Sequence, residues 1–156
     1  MKKLNLLFAG IVAMGALSCS DDDNSSSNNN NNNNTTQVVN AVKSGSWKIT
    51  KFEEDTNVET QHFNGYNFTF GDNNVVTATN GTNTYTGTWS ISNDSSSDDD
   101  DSNSSDIDFN IAFSAPDEFT DLTDDWDIVE SSGAKISLID VSGGNGGTDY
   151  LIFEKI

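Results

Sequence analysis

The chain has 156 residues, with 25 Asp and Glu against 7 basic residues, every one of them lysine, and a formal charge of −18. So acidic a surface repels phosphate backbones, and without arginine it lacks the usual bidentate ligand for phosphate or carboxylate, which sets aside nucleic acid and anionic substrates. One cysteine, Cys19, cannot close an internal disulfide, so the fold must stand on packing.

Lys2 and Lys3 precede the apolar stretch LNLLFAGIVAMGAL at residues 4–17, and the small Ser18 stands before Cys19. The stretch falls short of the about 20 apolar residues a membrane-spanning helix needs, so it reads as the core of a signal peptide. The ending in a small residue and a cysteine resembles a bacterial lipoprotein signal. That resemblance implies cleavage after residue 18, lipidation of Cys19 and loss of Lys2 and Lys3, which takes the charge from −18 to −20. Ser20-Asp21-Asp22-Asp23 looks like the acidic export tag of Bacteroidetes lipoproteins, which implies a lipid-anchored protein of the outer membrane facing the cell exterior. Residues 24–37 hold no aliphatic or aromatic side chain, so nothing there offsets the entropy of ordering. Residues 19–40 are therefore expected to be a disordered Asn/Ser linker, and residues 41–156 the folded domain.

Beyond residue 40 apolar residues alternate with polar ones, as in half-buried strands. Tyr66, Phe68 and Phe70 share one face of their segment, as do Tyr85, Gly87, Trp89 and Ile91, and as do Ile107, Phe109, Ile111 and Phe113. Trp47 with Ile49, Trp126 with Ile128, Ile136 with Leu138, and Tyr150 with Ile152 repeat the pattern more briefly. Strands are expected at 46–54, 61–71, 74–80, 83–92, 106–114, 124–131, 134–140 and 148–156. Asn80-Gly81 predicts a two-residue hairpin with positive φ at both positions. Residues 71–74, 131–133 and 143–147 predict longer turns, the last of them a flexible hairpin rather than a phosphate loop. APDEFTDLTDDW, residues 115–126, is the single helical candidate, a turn or two packed against one end. Short connections make neighbours antiparallel, and eight such strands close into an up-and-down β-barrel that leaves no exposed edge.

Gly45-Ser46-Trp47 at the start of the first strand resembles the Gly-x-Trp of lipocalins. Together with FNGYNFTF, GTWSI, FTDLTDDWDI, KISL and YLIFEKI, it looks like the lipocalin-like domain of many Bacteroidetes lipoproteins, over about residues 41–156. The resemblance implies an all-β, eight-stranded antiparallel lipocalin-like barrel that binds a small apolar or amphipathic ligand.

Trp47, Trp89 and Trp126 are candidates to line a ligand cup, although in a small barrel such side chains more often fill the interior. Tyr66, Tyr85 and Tyr150 are better placed to touch a ligand with a polar tip. Asp99, Asp101 and Asn103 in the acidic run 94–108 have calcium-like spacing but lack the turn glycine and closing glutamate, and no metal site or cofactor is expected. The second acidic cluster, Asp117, Glu118, Asp121, Asp124, Asp125 and Asp127, shows no ligand pattern. His62, the lone histidine, is expected on an exposed strand edge, and no serine sits in a Gly-x-Ser-x-Gly elbow, so no enzyme is expected. Two readings remain open, a ligand-binding barrel and a filled barrel that docks to a cell-surface protein or glycan complex.

Overall fold

The computed structural model describes residues 28–93, 107–141 and 147–156. Cys19, the Ser20–Asp23 segment, residues 94–106 of the acidic run and most of the glycine-rich 143–147 turn lie outside them.

A helix, α1 (Asn28–Lys43), leads into β1 (Ser46–Glu54), the two-residue β2 (Asn57–Val58), β3 (Asn67–Phe70), β4 (Val75–Thr79) and β5 (Thr84–Asn93). β6 (Ile107–Ala112), the single-turn α2 (Asp117–Thr120), β7 (Asp124–Ser131), β8 (Lys135–Val141) and β9 (Thr148–Lys155) complete the order. Every pairing is antiparallel, β1 pairs with β3 past the short β2, the later strands pair in chain order, and β9 pairs back onto β1 through Ile49↔Phe153 and Phe52↔Leu151. Eight strands, β1 and β3–β9, thus close the expected barrel, with β2 a flap on β1 alone.

The linker expected to residue 40 is instead helical from Asn28. Asparagine favours caps and turns over helix interiors, so this helix owes its stability to packing rather than propensity. Val42 is fully buried, and Val38 and Val39 lie against the core beside it. Trp47 Nε1 donates to the Val42 carbonyl at 2.8 Å, which fixes the helix end over the barrel. Lys43, in the last turn and well placed for the helix dipole, also pairs with Asp72. We call this the helix end of the barrel, and the opposite one, with the connections after β1, β4, β6 and β8, the rim.

The strand expected at 61–71 also differs. Residues 60–63 form a 3₁₀ turn, and only Asn67–Phe70 is strand. The Thr60 hydroxyl accepts from Phe52 N at 2.8 Å, while Phe63 turns inward, its ring edge-on to Phe52 at 5.5 Å and to Phe119 at 5.3 Å. Gly65, at φ +83°, reverses the chain into β3. His62 accordingly sits on this turn rather than on a strand edge. α2 is the short helix expected, and it brings Phe119 and Leu122 over the rim.

Two smaller expectations change. The β4–β5 connection is a four-residue loop over 80–83, in which Asn80 Oδ1 accepts from Thr82 N at 3.0 Å and Asn83 N at 2.8 Å. Its side chain makes the turn, so only Gly81 needs positive φ. On β9 the inward residues are Leu151 and Phe153 rather than Tyr150 and Ile152. Leu151 pairs with Phe52 and Leu138, and Phe153 with Ile49 and Ile136, so the neighbours set its parity. A bulge between Ile49 and Lys51 lets β1 present both Ile49 and Phe52 inward.

If α1 closes the helix end, Val42→Asp places an unpaired charge in the core. Loss of about 3 kcal/mol or more is expected in urea unfolding, against under about 0.5 kcal/mol for Val129→Asp at an exposed position. Equal midpoints for the two variants would contradict the capping role.

Candidate functional site

Five of the expected ligand residues separate into two groups. The three tryptophans are interior packing units, each indole N–H held by a backbone carbonyl: Trp47 by Val42 at 2.8 Å, Trp89 by Gly71 at 3.0 Å and Trp126 by Leu122 at 3.1 Å. Burying an indole requires such a partner, and here the chain itself supplies it. The three do not gather around a common space, since Trp47 and Trp89 bond toward the helix end and Trp126 toward the rim.

The barrel interior is filled. Phe68 and Phe70 both meet Phe153 edge-on at 5.5 Å, and Phe70 meets Phe109 at 5.4 Å and Trp89 at 5.5 Å. Toward the rim the same ring chain runs from Phe68 to Phe119 at 6.0 Å, and from there to Phe63. Edge-to-face contacts of this kind add to the burial of each ring. One close approach depends on glycine: a Cβ at Gly87 would stand 2.3 Å from the Ala112 carbonyl and 2.9 Å from the Phe113 ring.

Tyr66 and Tyr85 do come together, at the rim. Their rings are 5.9 Å apart, and Phe119 lies 5.1 Å from the first and 4.9 Å from the second. With His62, Pro116 and Glu118 they line an open cleft of about 450 Å³. A hydrogen bond with Tyr66 holds the Tyr85 hydroxyl above its ordinary pKa, and burial and Glu118 act the same way. The half-buried Tyr85, the largely buried Tyr66 and the exposed Glu118 thus meet at a cleft that opens to solvent. No family model matches the chain, and no curated protein or solved structure matches it.

Beside the cleft, carboxylate oxygens of Glu54, Glu59 and Asp121 lie within 4.8 Å of one another. Sequence reading missed this group, because Glu54 ends β1 and Glu59 follows β2, whereas Asp121 belongs to a cluster more than fifty residues on. Three carboxylate oxygens are half or less of what a calcium ion takes. Their effect on the protein itself is electrostatic. Burial pushes the Glu54 carboxyl above its ordinary pKa, and Asp121, Glu59, Asp149 and Asp55 add repulsion. Asp124 is raised as well, by burial first, which outweighs a backbone hydrogen bond from Asp125 N, and then by the Asp125 and Asp140 carboxyl groups. His62 Nδ1 stands 3.6 Å from Glu59 Oε2, at the edge of the same group.

A carboxyl whose folded pKa is raised binds its proton more tightly in the folded state, so its contribution is present below the ordinary carboxylate range and lost as pH rises through the raised value. Glu54→Gln is therefore expected to raise the melting temperature near pH 7 and to bring no gain near pH 3, where the carboxyls are protonated in either form. A variant less stable than the parent at neutral pH would contradict repulsion at this position.

Proposed function

We propose that the protein is a surface-anchored, non-enzymatic lipoprotein of the lipocalin-like kind whose filled barrel serves as an interaction module. The observation that carries this reading is the interior itself. Phe52, Phe63, Phe68, Phe109 and Phe153 are each 1 % exposed or less, and the space that a calyx would offer to a ligand holds their rings. Small ligands favour concave, largely preformed cavities, and the larger clefts among the described residues lie outside the barrel wall or at one of its two ends.

The direction of the chain fits an anchored module. α1 enters at the helix end, so a lipid on Cys19 would attach the barrel from that side and turn the rim away from the membrane. None of the helices in the described residues is long and apolar enough to cross a bilayer. A single acyl chain holds only marginally, and a lipoprotein anchor with more than one chain holds stably.

Two measurements test the reading. Native mass spectrometry of the purified full-length protein should show no stoichiometric lipid or pigment beyond the anchor, and cis-parinaric acid should fail to bind saturably; one apolar ligand per chain would favour the calyx instead. Cys19→Ala should move the protein from the membrane to the soluble fraction, and unchanged membrane retention would contradict lipidation.

A further inference from the structure

Charge on the described surface divides unevenly between the two ends. At the helix end Lys43 pairs with Asp72, Lys135 pairs with Glu130 at 2.9 Å, and Lys155 bonds Ser44 at 2.9 Å while standing 6.0 Å from the Trp47 ring. The rim carries Glu54, Asp55, Glu59, Asp117, Glu118 and Asp121, and among the described residues no lysine forms an ion pair with any of them. Lys51, in the rim half of β1, is engaged by Glu53 at 2.9 Å and by the Tyr150 ring at 3.9 Å. The aromatic cleft opens within this acidic field, beside the contact of His62 with Glu59 at 3.6 Å.

Tyrosine ring faces attract cations to within about 6 Å of their centroids, and an adjacent carboxylate strengthens the preference for a positive group over a neutral one. The cleft, of about 450 Å³, opens at the rim, where a side chain projecting from another protein can reach it. We propose that the rim cleft receives a lysine or arginine side chain from a basic segment of a partner protein, seated against Tyr66 and Tyr85 and paired with Glu118. The assignment rests on the interaction-module reading and names the chemistry of its partner. Carboxylates around the cleft steer such a segment toward it, and salt weakens that steering because the Debye length is only about 8 Å at physiological ionic strength.

The test uses the full-length protein and hexalysine, with hexaglutamate as control, read by calorimetry and by NMR shifts of the Tyr66, Tyr85 and His62 resonances. Glu118→Gln, at an exposed position, and Tyr85→Leu, which keeps apolar volume over Phe119, are each expected to weaken hexalysine binding about fivefold to tenfold with the fold intact. Asp72→Asn at the helix end should leave it unchanged. Aspartates at 98–101 offer hexalysine a second attraction, so the fourfold Asn variant there is the decisive comparison. Loss of binding in that variant with none in the rim variants would overturn the proposal. Saturable cellohexaose binding at the cleft with no response to hexalysine would also overturn it, pointing to a glycan. Absence of hexalysine binding defeats this inference alone, whereas a stoichiometric lipid in native mass spectrometry defeats the filled-barrel reading beneath it.

Discussion

The aromatic column inside the barrel is the constraint from which the rest follows. With no disulfide, the closed sheet is held by its own hydrogen bonds and by rings that touch from Phe119 and Phe63 at the rim, through Phe68 and Phe153, to Phe70, Phe109 and Trp89. Both ends are stoppered by segments outside the sheet. α1 lays Val42 over the Trp47 end, and the 3₁₀ turn and α2 insert Phe63 and Phe119 at the other. Each tryptophan then needs a carbonyl for its indole N–H, and each finds one outside the strands, Trp47 in α1 and the other two in connecting segments. The column thereby fixes the connections as well as the walls.

Charge works against this packing and is distributed in a way that limits the damage. Among the described residues, lysines at the helix end pair with nearby acids, whereas at the rim Glu54 and its neighbours repel one another. A protein selected for stability alone would not concentrate like charge beside the aromatic cleft at its rim. Net acidity keeps a chain soluble and shapes what it meets, and does so at some expense to the compact state. The same rim faces outward if the anchor attaches at the helix end, so the repulsion lies where a cationic partner would relieve it.

The strands were legible because their inward residues alternate, and the order of the barrel followed from short connections. What escaped sequence reading has particular causes. α1 begins with a polyasparagine run whose propensity is poor, and three valines packed on the core decide its state. Phe63 sits in an apparent strand, but Thr60 clamps Phe52 and Gly65 reverses the chain, so a tertiary plug overrides the alternation. In β9 four apolar residues in a row, from Tyr150 to Phe153, offer no parity until β1 and β8 impose it. Of the site, the pairing of Tyr66 with Tyr85 was within reach, since both were singled out as amphipathic. The Glu54, Glu59 and Asp121 group was not, because its members meet only through the closure of the rim.

Indole N–H exchange tests the filled column most directly. If the interior is packed and both ends are closed, the Nε1 protons of Trp47 and Trp126 exchange only through global unfolding, with the same free energy as the slowest backbone amides of β1 and β9. Exchange of either indole within seconds in native buffer would mean that water enters the barrel freely, and the account would fail.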